Sequence, residues 1–181
     1  MYPVIKSVLI GATALLISAC QSAPNPLIVQ PVISANSSQL PVALSVTDTR
    51  AQNYLLRIKL SDDQAQFASS APMLETAIYD ALAEKLNVVN SASKQVNVAI
   101  RQAIIRVEQG SVKHQAEHEI SLLLTARKDG ATYTRDFNAK ASSEGAFRAD
   151  PAKLEEKFSE LLGKLLDDML RDPKLIDFMA E

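Results

Sequence analysis

The stretch Lys94–Gly110, KQVNVAIRQAIIRVEQG, changes phase in its middle. Val96, Val98 and Ile100 alternate on even positions, after which Ala103, Ile105 and Val107 alternate on odd ones. Side chains along a β-strand point to opposite faces with a period of two, so an apolar set that changes parity does not fit one regular strand. The pattern predicts a long strand interrupted by a bulge or sharp bend near Gln102–Ile104. Downstream, EISLLLTAR places Ile120, Leu122, Leu124 and Ala126 on one face, and TYTRDFNAKA directs Tyr133, Phe137, Ala139 and Ala141 inward. Asp129-Gly130 between them is a strong signal for a two-residue hairpin turn. Together the three runs predict an antiparallel meander.

Upstream, PVALSVTDT sets Val42, Leu44 and Val46 on one face, and YLLRIKL does the same with Tyr54, Leu56, Ile58 and Leu60. The short DTRAQN connection suggests that these two pair as an antiparallel hairpin. The period then changes. Leu74, Ala77, Ile78, Ala81, Leu82 and Leu86 recur at steps of three and four, predicting an amphipathic helix over about 71–87. In the last third, Asp150-Pro151 is a helix start signal, followed by an apolar stripe from Leu154 to Leu170, and Asp172-Pro173 repeats the signal for a short terminal helix. The order is β-β-α-β-β-β-α-α. It describes a single α+β domain, a mainly antiparallel sheet with helices packed on one face.

The N-terminus has the anatomy of an export signal: Lys6, an apolar run from Val8 to Ile17, then the small pair Ser18-Ala19. The run is shorter than the roughly 20 residues needed to span a bilayer. It ends in ISAC, which resembles the lipobox of bacterial lipoproteins and implies cleavage before Cys20 with acylation of that residue. Several acyl chains on one cysteine would hold a protein on a membrane permanently, since each buried methylene contributes about 0.8 kcal/mol. Gln21, where an aspartate would favour inner-membrane retention, implies by the same resemblance the inner leaflet of the outer membrane, on the periplasmic face. Residues 1–19 are therefore assigned to a signal peptide, 20–41 to the acylated Cys20 and a proline-rich tether interrupted by a strand-like patch, Leu27-Ile28-Val29, suited to docking on the domain edge, and 42–181 to the folded domain.

Composition excludes more than it identifies. Without Lys6 the formal charge moves from −2 to −3, and no basic surplus suggests a nucleic-acid partner. Cys20 is the single cysteine, so the chain forms no internal disulfide. His114, Glu117 and His118 in KHQAEHE invite a metal reading, because His114 and His118 would share a helical face. The segment reads instead as the entry to a strand, with no third ligand at fixed spacing, and a solvated loop or strand face is the expectation. There is no G-x-S-x-G elbow and no glycine-rich phosphate loop. The acidic pairs Asp62-Asp63 and Asp167-Asp168 read as a solvated turn and the polar side of a helix. No catalytic residue, cofactor or metal is assigned, and the domain is expected not to be an enzyme. Asp48 and Arg50, at the end of an apolar strand, either close the sheet rim by a salt bridge or mark a partner-binding edge.

With these segments placed, the whole chain resembles the YajG family of uncharacterised bacterial lipoproteins. The segments that carry the resemblance are LSVTDTR, VNVAIRQAIIRVEQGSV, ISLLLTARKDGATYTRDFNAKASSEGAF and MLRDPKLIDFM, with QGSV before and EGAF after the hairpin. The resemblance implies location and fold and transfers no catalytic residue. The expected role is a lipid-anchored accessory of the envelope, bound to the membrane through Cys20 and to an envelope protein through a sheet edge. Both the bulged strand and VALSV are candidates for that edge. The alternative, carriage of a lipid or other apolar molecule, predicts a cavity behind Leu82, Leu122, Leu162 and Leu166.

Overall fold

A computed structural model of the chain describes residues 24–180. Residues 1–19, read above as a signal peptide, and Cys20 lie outside the described residues. Three long antiparallel strands, β7 (Gln95–Gln109), β8 (Lys113–Lys128) and β9 (Ala131–Ala146), form the frame of the molecule. The bulge is present, one residue earlier than its predicted range: the β7–β8 register shifts between Ile100 and Gln102. The shift keeps one face apolar along the whole strand. Ile100 lies opposite Leu122 before it and Ala103 opposite Ile120 after it, and all four are buried. Arg101 at the irregularity points to solvent and pairs with Asp136 on β9 at 2.9 Å. Asp129 (φ 47°) and Gly130 (φ 82°) close the β8–β9 hairpin, both in the left-handed region that a two-residue turn of this kind requires.

The expected hairpin between the first two strand patterns does not form. β2 (Pro41–Asp48) and β3 (Leu56–Lys59) both run parallel to β7. Since β8 occupies the other edge of β7 along its length, they lie in tandem on one edge, β2 opposite residues 95–100 and β3 opposite 105–108. A period of two states which face is buried and not which strand is the neighbour. The connection from Thr49 to Leu55 steps past the bulge and does not reverse the chain. β4 (Ala65–Ala68) pairs antiparallel with β3, and β6 (Asn87–Val88) pairs parallel with β2.

Helices α1 (Leu74–Ala83), α2 (Pro151–Leu170) and α3 (Pro173–Ala180) pack on the apolar face. Asp150 caps α2, its side chain accepting from the Ala152 amide at 3.0 Å, and Pro151 follows in the first turn. Leu154, Phe158, Leu162, Leu165, Leu166 and Met169 are buried along α2. Burial of each such side chain contributes about 1.5–3 kcal/mol relative to exposure. Asp172 carries the same start signal, yet its buried carboxylate turns to β9, accepting from the Tyr133 hydroxyl at 2.5 Å and pairing with Arg135. It ties the α2–α3 corner to the sheet.

Within the proline-rich segment the strand-like patch at Leu27–Val29 does dock, and the docking runs on to Ala35. Leu27, Val29, Ile33 and Ala35 are buried in the core. β1 (Leu27–Ile28) pairs parallel with β5 (Ser70–Ala71), and the chain then runs along α2. The Gln30 amide donates to Ser159 Oγ at 3.1 Å, and the Ser34 and Ala35 amides donate to Asp167 Oδ1 at 2.9 and 2.6 Å. Gly163 permits the approach, since a Cβ there would lie 2.5 Å from the Val32 carbonyl oxygen. The prolines set an extended backbone, and alternating apolar residues dock it.

Candidate functional site

The Asp48–Arg50 pair sits where β2 ends and the bulge begins. Arg50 grips the Asp48 carboxylate with two donors, Nε at 2.9 Å and Nη2 at 2.6 Å, while Nη1 donates to the Ala103 carbonyl at 3.0 Å and the Tyr54 carbonyl at 3.3 Å. The Thr49 amide and hydroxyl both donate to the Ile100 carbonyl, and β3 pairing resumes where the Ile105 amide donates to Leu55. The guanidinium thus takes the carbonyls that the interrupted ladder leaves without strand partners. Its side chain is 4% exposed, that of Asp48 27%. Burial works against the charge on Asp48, but hydrogen bonds from the Arg50 side chain and amide hold its carboxyl below the usual value. Of the two expectations for this pair, closure of the sheet rim accounts for every contact made.

The histidines separate. His114 and His118 do lie on one face of a strand, β8, with Glu117 exposed on the other. His114 Nδ1 is 3.1 Å from the Phe147 carbonyl, and its ring lies over Gly145, where a Cβ would come within 2.6 Å of it. His118, expected on a solvated face, is 1% exposed between Ile105 and Ala141 beneath α2, with neither ring nitrogen hydrogen-bonded among the described residues. Burial first, and then the positive charge of Lys157, lowers its pKa to about 4. It is a neutral core residue at neutral pH. Among the described residues no group of three or more His, Cys, Asp or Glu is placed to hold a metal ion. Asp62 pairs with Lys59 at 2.9 Å in the turn after β3, whereas Asp167 is the latch for the N-terminal segment.

Leu82, Leu122, Leu162 and Leu166 are fully buried in the core. A cavity of about 140 Å³ lies beyond them, between α1, α3 and the sheet, lined by Leu40, Val42, Leu82, Val96, Leu124 and Met179 among others. Only Leu82 of the four borders it, and drug-sized ligands occupy pockets of roughly 300–1,000 Å³.

Two surface features remain. Among the described residues β9 pairs only with β8, so its other edge is unpaired there over 16 residues. At the end of the meander, Val112 in the β7–β8 turn and Phe147 after β9 are each 72% exposed. They are joined by a hydrogen bond from the Phe147 amide to the Val112 carbonyl at 2.7 Å. Phe147 has φ 62°, a backbone region that costs a bulky residue roughly 1–2 kcal/mol. Gln109 holds it there, its Nε2 donating to the Phe147 carbonyl at 3.1 Å and its Oε1 accepting from the Ala149 amide at 3.0 Å.

Residues 28–180 match a family described as uncharacterized lipoprotein. The chain belongs to this lipoprotein family. It is 22% identical over 189 residues to the uncharacterized lipoprotein YajG of Escherichia coli K12, with 97% of each chain covered, and equally so to YajG of Escherichia coli O6:H1. The crystal structure of protein XCC0632 from Xanthomonas campestris is similar in fold, with a TM-score of 0.52 at 13% identity over 82% of this chain and 91% of the other. In this lipoprotein no described helix is long and apolar enough to cross a membrane. The QGSV and EGAF runs that carried the resemblance converge on the exposed tip at Val112 and Phe147. The docking of residues 27–35 had a sequence signal in the spacing of Leu27, Val29, Ile33 and Ala35, and a second in Gly163, a small residue inside the stripe of α2.

Proposed function

We propose that this lipoprotein is acylated on Cys20, is held on the inner leaflet of the outer membrane facing the periplasm, and is a non-enzymatic accessory that binds an extended segment of an envelope protein. The observation that carries the binding role is the unpaired 16-residue edge of β9. An open edge offers a row of backbone donors and acceptors to a partner strand. The bulged strand β7 is paired on both edges and is not available; β2 is paired with β7 along one edge and with β6 at its start. The carrier alternative has less support, because the four leucines that were to border a cavity fill the core and the space beyond them is small.

Photo-crosslinking residues placed in cells at Asn138 and Ser142, both exposed on β9, test this reading. A discrete adduct with one envelope protein is the expected result, with none from Lys164 on the outer side of α2. Equal capture from all three positions would overturn it. The mass of the mature protein tests the anchor, and Cys20→Ser is expected to release the chain from the membrane fraction.

A further inference from the structure

The tip formed by Val112 and Phe147 has a defined place relative to the anchor. β1 is parallel to β5, which follows directly on β4; β4 is antiparallel to β3, and β3 is parallel to β7, which ends at the tip. The chain ahead of Leu27 therefore leaves toward the tip. The contacts along α2 agree, since they progress from Ser159 to Asp167 as the segment runs from Gln30 to Ala35, and α2 begins just after Phe147.

The Leu27 amide donates to the Ser69 carbonyl, next to Ala68, which pairs through Leu56 to the level of Ile105. From Ile105 to the end of β7 and over the turn to Val112 is about 20 Å at strand rise. Cys20 precedes Leu27 by seven residues, a span of at most ~25 Å when fully extended. An acylated Cys20 thus reaches no more than about 5 Å past the tip. The docked N-terminal segment leaves no slack with which the domain could stand away from the bilayer.

We propose that the Val112–Phe147 tip is a wedge seated in the headgroup and acyl boundary of the leaflet that holds the Cys20 lipid. The proposal rests on the lipid-anchor reading above. Two exposed apolar side chains, one held at positive φ, form the part of the domain nearest the membrane. Charges around the tip are mixed, Lys113 and Arg148 against Glu108 and Glu144, so the contact is apolar and independent of anionic lipid.

The chain contains no tryptophan, so Phe147→Trp makes emission report on this position alone. The acylated full-length variant, purified with its anchor and reconstituted into phosphatidylcholine vesicles, is expected to show blue-shifted emission and about twofold quenching by brominated acyl chains. Adding Val112→Asp, or a Gly/Ser insertion of about 20 residues after Pro24, is expected to abolish the quenching while the acyl mass is retained. An acylated chain whose introduced indole emits as in water overturns the wedge and leaves the anchor standing. Blue-shifted emission without bromolipid quenching also overturns it, because the tip is then covered by protein. A mature chain of unmodified mass overturns the anchor reading and the wedge with it.

Discussion

Replacing His118 by leucine should remove an acid sensitivity from the core. His118 is 1% exposed, its ring nitrogens have no partners, and its pKa is lowered to about 4. The unfolded chain, with an ordinary histidine near 6.5, takes up the proton first on acidification. Stability is therefore full above about pH 6.5 and is lost as the pH falls toward 4. The gap between 6.5 and about 4 corresponds to about 3 kcal/mol when complete, of which about 2 kcal/mol is already lost at pH 5. With a urea dependence of about 2 kcal/mol per molar, the unfolding midpoint of the wild-type domain should fall by about 1 M between pH 8 and pH 5. His118→Leu should hold its midpoint over that interval. At pH 8 it should be at least as stable as the wild type, because two buried polar atoms without partners are gone. Below about pH 4 both should weaken. Hydrogen bonds from Lys140 and then Arg106 lower the carboxyl of Glu119, and those from Arg50 hold that of Asp48 down against burial; such groups lose their contribution as the pH falls through the folded value. Urea unfolding followed by circular dichroism at pH 8, 6 and 5 measures this. Equal midpoints for the wild type at pH 8 and 5, or a pH slope that survives in His118→Leu, would refute the reasoning.

Arg50→Ala leaves the Ala103 carbonyl and a partly buried Asp48 without their donor, and a loss of about 2–4 kcal/mol is expected from urea unfolding. A double-mutant cycle with Asp48→Ser should recover part of it. Gly163→Ala should raise helix propensity by about 1 kcal/mol in an isolated helix, yet in the protein it should destabilise, since the new Cβ meets backbone at Val32. Hydrogen exchange at the Ser34 and Ala35 amides should accelerate, and unchanged protection there would count against the docking. Gly130→Ala meets no atom within 4 Å, so its expected cost of about 1–2 kcal/mol is conformational, from φ +82° alone, and should appear as a lower thermal midpoint.

Much of the frame was legible because it depends on side-chain parity. The change from even to odd in β7 marked the bulge to within a residue, and Asp129-Gly130 marked the hairpin. Strand partners were not legible, since Val42–Val46 and Leu56–Ile58 carry the same alternation whether they pair with one another or in tandem with β7. His118 was misread for a local reason. It lies in a polar run, although its even position puts it in phase with Ile120 and Leu122, and the phase decided its burial. Asp172 shows the opposite failure, a helix start signal whose side chain is drawn to Tyr133 and Arg135, partners remote in sequence. The Asp48–Arg50 pair was noticed, but its purpose needed the bulge and the tandem strands to be in place first.

The open edge and the apolar tip constrain one another. β9 runs from the Asp129–Gly130 hairpin to within a residue of Phe147, and its 16 residues extend about 50 Å. With the tip at the bilayer, the open edge stands along the membrane normal. A partner strand pairing with it must run along the normal as well, one end near the headgroups and the other about 50 Å away from the bilayer. A segment lying flat on the leaflet satisfies only the few residues next to Ala146. Crosslinkers at Ser142 and at Thr132, near the two ends of the edge, should therefore capture sites of one partner that are separated along its sequence by roughly ten residues of strand, in a fixed order. Capture of the same partner residue from both ends would be incompatible with strand pairing.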